Sequence, residues 1–146
     1  MDIILIAAIT ADGYIARHSH EEVRWSQDLS LFKEQTMGHP IIMGSHTFDS
    51  LQNELEGREI IVVHRDDSPK ETLERVSADK CFIAGGGRTN KKFIDHLTHL
   101  YLTPHPYVFG GGVSLFYGNV DELKLELITT HEVNQGIIQY QYLVKR

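Results

Sequence analysis

Up to residue 103, short apolar runs alternate with helix signals, and that order restricts the fold more than any other feature of the chain. The runs Asp2–Ile9, Pro40–Met43, Arg58–Val63, Lys80–Ala84 and His99–Thr103 have strand length and composition. Between them, Ser26 is placed to cap a helix through Met37, with Gly38 and Pro40 past its end. Leu29, Phe32 and Thr36 share one face of that helix, and Asp28 falls in its first turn. A second helix runs from Ser45 to about Leu51. Ser68-Pro69-Lys70-Glu71 has the cap, the N1 proline and the N3 glutamate of a capping box. Arg88–Leu97 reads as a fourth helix. The alternation predicts an α/β fold, a central and mostly parallel twisted sheet flanked by helices. Beyond it, Leu123–Thr130 and Ile137–Val144 alternate apolar and polar residues, which predicts an antiparallel C-terminal β pair turning at Asn134–Gly136. With no repeat or linker, residues 1–146 are expected to form a single domain.

Charge and cysteine usage remove several function classes. The net charge is −6, and no cationic run exceeds Lys91-Lys92 or Lys145-Arg146, so no nucleic-acid partner is expected. A small anionic ligand is still compatible, since it needs only one or two cations and some amides. The opening MDIILIAAI lacks a basic leader and is too short to span a bilayer, so no membrane partner is expected. The single cysteine, Cys81, lies in an apolar run and reads as a packing residue of a cytoplasmic protein. His18, His20 and Glu21-Glu22 have no second cluster at ligand spacing, and no metal site is expected.

In open α/β sheets, ligands gather outside the carboxyl ends of the strands. Gly44-Ser45, His64-Arg65, Gly85–Arg88 and Thr103 all fall there. The triplet Gly85–Gly87, between a strand and a helix, suits a tight turn or a phosphate cradle equally well. A second triplet, Gly110–Gly112, has no helix after it and reads as a loop. Arg65 is either a solvated loop cation or a phosphate partner. Asp28 is either first-turn decoration or an inward carboxylate in need of a polar-hydrogen partner.

Four stretches taken together carry more information: LIAAITADGYIA, then W-x-x-DLSLFKEQTMGHPIIMGSHTFDSL, LEGREIIVVHR, and FIAGGGRTNKKFIDHLTHLYLT. In this order they cover most of residues 5–103, and the chain resembles the dihydrofolate reductase family. The resemblance implies NADPH-dependent reduction of 7,8-dihydrofolate, a small-molecule substrate, to 5,6,7,8-tetrahydrofolate. Asp28 matches the carboxylate that binds the pterin and aids N5 protonation, and Trp25 a tryptophan at the site's mouth. Thr103 matches a threonine bonded around that carboxylate. Ile6, Ala8, Phe32 and Leu51 match positions lining the substrate, and Arg58 the arginine that holds the α-carboxylate of folate's tail. For the cofactor, the matching positions are Ala8, Ile15, Gly44, His46, Thr47, His64, Arg65, Gly85, Gly86, Gly87, Arg88 and Thr89.

The sequence also departs from the pattern. Ser45 stands where an arginine for the cofactor phosphate is frequent, which leaves NADPH preference resting on Arg65. Asn90 replaces a common tyrosine, Ala84 replaces a branched apolar residue, and Arg24 precedes Trp25 where proline is common. The spacing from Trp25 to Asp28 is short for the family. The tail LTPHPYVFGGGVSLF, like TADGYIA, resembles the riboflavin-pathway pyrimidine reductases, which share the fold, use NADPH and often dimerise through their β tail. Three readings therefore stand: a dihydrofolate reductase, a pyrimidine or pteridine reductase, and a silent nucleotide-binding domain. The oligomeric state is open between monomer and homodimer.

Overall fold

The computed structural model describes residues 1–51 and 54–146. Residues 2–10 are apolar at nearly every position, as a strand covered on both faces must be, and they form the middle of the sheet. In chain order the elements are β1 (Asp2–Thr10), β2 (Tyr14–Ala16), α1 (Leu29–Thr36), β3 (Ile41–Gly44), α2 (Ser45–Leu51) and β4 (Ile60–Val63). Then follow α3 (Pro69–Glu74), β5 (Lys80–Ile83), α4 (Gly87–Lys92), a 3-10 turn (Ile94–His96), β6 (His99–His105), β7 (Val113–Ser114), β8 (Lys124–Asn134) and β9 (Ile137–Lys145).

Among the described residues, seven strands form one sheet in the order β4-β3-β5-β1-β6-β9-β8. β4, β3, β5, β1 and β6 are parallel, and β9 and β8 add as an antiparallel pair. Side chains alternate across β1 and divide the core in two. Ile3 and Leu5 pack with Ile42, Cys81, Ile83, Phe93 and Leu97 on one face. Ile4 and Ile6 pack with Ile41, Met43, Phe82 and Ala84 on the other. Burial pushes the Cys81 thiol up to about 11, so it stays neutral and serves packing.

The strand and helix order agrees with the sequence expectation, and Ser68 caps α3 by accepting from the Glu71 N–H. Four details differ. The first helix begins at Leu29, not after Ser26, and Asp28 occupies its N-cap position with no side-chain capping bond. The fourth helix ends at Lys92 and tightens into the 3-10 turn, which brings Phe93 and Leu97 into the core together. Two short strands, β2 and β7, pair with each other outside the main sheet. Finally, β8 is the sheet's edge and is exposed along almost its whole length, despite its alternating pattern. No described helix is long and apolar enough to cross a membrane.

Candidate active site

The strand ends place a continuous cleft of about 1370 Å³ against β1, β3, β4 and β5. One half is lined by Ile6, Asp28, Leu29, Phe32 and Leu51. The other is lined by Gly44–Thr47, His64, Arg65 and the segment Gly85–Thr89, with Ala8 and Ile15 also on its walls. All the sequence candidates reach this cleft except Trp25, Thr103 and Arg58.

Asp28 is 7% exposed. Its main chain starts α1, with the Phe32 N–H donating to Asp28 O at 2.9 Å, but its carboxyl caps nothing. The side chain is therefore free of the ordinary first-turn role, and it lines the apolar half of the cleft. Burial raises its pKa above the usual Asp value, opposed in part by the Thr103 hydroxyl and by its own backbone N–H. Thr103 lies behind the cleft wall, fully buried, and its Oγ1 closes no hydrogen bond within the described residues. A buried hydroxyl without a partner beside a buried carboxyl marks a place where a polar ligand edge would complete the network.

Trp25 does not stand at the cleft mouth. It turns into an aromatic box, edge-on to His105 at 5.4 Å, Tyr107 at 6.1 Å and Phe109 at 5.3 Å between ring centres.

Arg58 is also engaged elsewhere. Its Nε donates to Thr36 Oγ1 at 3.0 Å, and its terminal nitrogens donate to Glu56 O and Lys33 O. Lys33 forms an ion pair with Glu54, which lines the cleft on that side. The apolar half therefore ends at the Lys33–Glu54 ion pair, with the Arg58 donors taken up by a hydroxyl and two carbonyls.

The glycine turn depends on a backbone conformation that glycine adopts without strain. Gly85 has φ +87, and a Cβ there would lie 3.6 Å from Thr47 Oγ1. Asn90, without a role in the sequence reading, is 1% exposed and holds this turn. Its Oδ1 accepts from the Gly85 N–H at 3.1 Å, and its Nδ2 donates to Leu115 O at 2.9 Å. Its amide thus joins the turn to the segment after β7. Lys92 holds the loop after β4, donating to His64 O at 2.6 Å, Arg65 O at 3.0 Å and Asp67 O at 2.9 Å. Arg88 is stacked over the Tyr117 ring at 3.9 Å, its charge left beside the glycines.

The second triplet serves the frame. Asp12 accepts from Thr10 Oγ1 at 2.6 Å, Gly110 N at 2.8 Å and Phe109 N at 3.2 Å, and the first of these does most to hold its pKa low. Among the described residues, no three His, Cys, Asp or Glu side chains are placed to hold a metal ion.

The geometry joins one buried carboxyl to a glycine turn ringed by cations. The dihydrofolate reductase family profile matches residues 2–144. The chain belongs to that family. It is 31% identical to the dihydrofolate reductase of Haemophilus influenzae over 137 residues, covering 86% of each chain. It is 28% identical to the Bacillus subtilis dihydrofolate reductase over 142 residues, covering 89% of this chain and 83% of that one. The crystal structure of a protein assigned to riboflavin biosynthesis in Shewanella superposes over 100% of both chains with a TM-score of 0.72 at 20% identity. That likeness supports the dihydrofolate reductase-like fold alone.

Proposed function

We propose that this member of the dihydrofolate reductase family is an oxidoreductase that reduces 7,8-dihydrofolate to 5,6,7,8-tetrahydrofolate with NADPH. The observation that carries the reading is Asp28, an uncapped, buried carboxyl in the apolar half of a cleft whose other half is a glycine turn among cations. A carboxylate so placed needs a ligand edge rich in N–H donors, and a pterin's N3 and 2-amino groups supply one. The Thr103 hydroxyl, buried behind the cleft wall, backs the Asp28 carboxyl from the sheet side.

The nucleotide half fits NADPH by shape and charge. Gly85 and Gly86 leave bare backbone beside Thr47, and His46, His64, Arg65 and Arg88 stand around it for phosphate groups. Bound there, NADPH would supply the hydride that goes to pterin C6. The protein's part is orientation, water exclusion and proton placement. Ile6, Phe32 and Leu51 wall the reacting end against solvent. Asp28, with its pKa raised by burial, orients the ring and favours the proton that N5 takes up.

A Cβ at Gly44 would lie 2.8 Å from Thr89 Oγ1. Gly44→Ala is expected to shift the start of α4 and weaken NADPH binding about tenfold, as read by fluorescence titration.

A second reading, a pyrimidine or pteridine substrate without folate's glutamyl tail, is favoured by the far end of the cleft, where Lys33 pairs with Glu54 and Arg58 is held by Thr36 and two carbonyls outside the cleft. NADPH oxidation should be followed with dihydrofolate, a tail-less dihydropterin and a ribosylamino-pyrimidine phosphate. Because Arg58 is held by Thr36, Glu56 and Lys33 and does not line the cleft, Arg58→Ala is expected to change the KM for dihydrofolate and for the tail-less pterin to a similar, small extent. Turnover of the pyrimidine but not of dihydrofolate would transfer the assignment to the second reading.

A further inference from the structure

His105 closes β6 two residues beyond Thr103 and is 2% exposed. Both ring nitrogens are committed. The Gln27 N–H donates to Nε2 at 2.9 Å, so Nε2 is the unprotonated nitrogen. Nδ1 then carries the proton and donates to Thr103 O at 2.8 Å. The ring also packs edge-on against Trp25 at 5.4 Å. One imidazole thus bonds or packs with residues 25, 27 and 103, which surround Asp28.

That placement matters because the chain from Arg17 to Asp28 has no helix or strand to fix it. Asp28 has no capping bond of its own to set its side chain. Among the described residues, the links tying the Trp25–Asp28 end of this stretch to the sheet side of the site include His105, the Trp25 box and the Asn134 amide, which donates to Gln27 Oε1 at 3.0 Å. Of these, the imidazole contact is the buried one next to the carboxyl.

We propose that His105 is a positioning residue, its neutral imidazole accepting from the Gln27 amide and so holding the Trp25–Asp28 backbone in the register that presents the Asp28 carboxyl to the cleft. A hydrogen bond to a main-chain N–H restrains the backbone directly, and a displacement of about 1 Å at a reacting group costs on the order of 100-fold in rate. The kinetic part rests on the proposed reduction; the structural part does not.

The test uses the full chain with His105→Leu, His105→Gln and His105→Asn. Trp25 is the only tryptophan, so its fluorescence reads the aromatic box, while amide exchange by NMR reads Gln27. In the wild type the Gln27 amide, bonded to His105, is expected to exchange slowly. His105→Leu is expected to speed its exchange at least about tenfold, change Trp25 emission and lower kcat about 10- to 100-fold, with the KM for NADPH nearly unmoved. A glutamine can place its amide oxygen where Nε2 lies, so His105→Gln recovers most of the protection and of kcat. The shorter asparagine recovers neither. Should His105→Leu not fold, the Gln–Asn contrast decides. Equal Gln27 protection and equal kcat in all variants, with only a lower Tm, would overturn the proposal. A wild type that does not turn over dihydrofolate would sink the proposed reaction, and exchange at Gln27 would still decide the role of His105.

Discussion

Asp28→Asn is expected to lower dihydrofolate turnover about 100-fold or more while making the ligand-free protein more stable at neutral pH. The first effect follows from the proposed role of Asp28 in protonation of the ring, a contribution of roughly 10²- to 10⁴-fold for positioned proton donors and acceptors. The second follows from burial, since Asp28 is 7% exposed and desolvation raises its pKa above the ordinary value. For an acid with a raised folded-state pKa, its contribution to stability is fully present below the unfolded pKa. That contribution is lost as pH rises through the folded value. Wild type and Asp28→Asn should therefore converge in stability at acid pH and separate as pH rises. Removing a buried, desolvated carboxylate of this kind gains about 1 kcal/mol, or a few degrees in Tm, which differential scanning calorimetry at several pH values would read. Equal turnover in the two proteins, or a less stable asparagine variant at neutral pH, would show that Asp28 is not the buried site carboxyl described above.

The largest stability effect is expected at the second glycine triplet. A Cβ at Gly112 would lie 2.3 Å from Ala16 O and 3.1 Å from Arg17 Cα, and its φ is +134. Both contacts are main chain, so no side-chain rotation relieves them. Ala16 ends β2, which pairs with Val113 of β7, so a displaced residue 112 would separate the small sheet that closes the site. Strain and overpacking together put Gly112→Ala at about 3 kcal/mol or more. Gly110→Ala provides the control. Gly110 also has positive φ, +71, but open space around its Cβ position, so it carries the backbone strain without the clash. It should cost about 1–2 kcal/mol. Chemical denaturation of the two variants would separate the terms; equal costs would mean that the β2–β7 approach is soft.

The fold was legible wherever a long apolar run met a cap or a turn signal. β1, β3, β4, β5 and β6 each announced themselves by composition, and Ser68 by its capping box. β2 and β7 did not, because strands of three and two residues carry no periodicity and exist only by pairing with each other. The exposure of β8 was equally hidden: alternation tells which residues share a face but not whether anything covers that face. At the site, the resemblance indicated the cleft residues from Ile6 to Thr89. It did not anticipate that Trp25 turns away or that Arg58 is bonded to carbonyls, since both outcomes depend on contacts between segments far apart in sequence. Asn90 and His105 belong to the same class. Each is a polar residue inside an apolar pattern, and only its hydrogen-bond partners reveal what it holds.

The most direct measurement is dihydrofolate-dependent oxidation of NADPH by the wild-type chain from mildly acid to alkaline pH, beside Asp28→Asn. The expected result is turnover by the wild type that declines as the pH rises through the elevated Asp28 pKa, and a slow asparagine variant without that inflection. Absence of dihydrofolate-dependent oxidation, or the same profile in both proteins, would contradict the account.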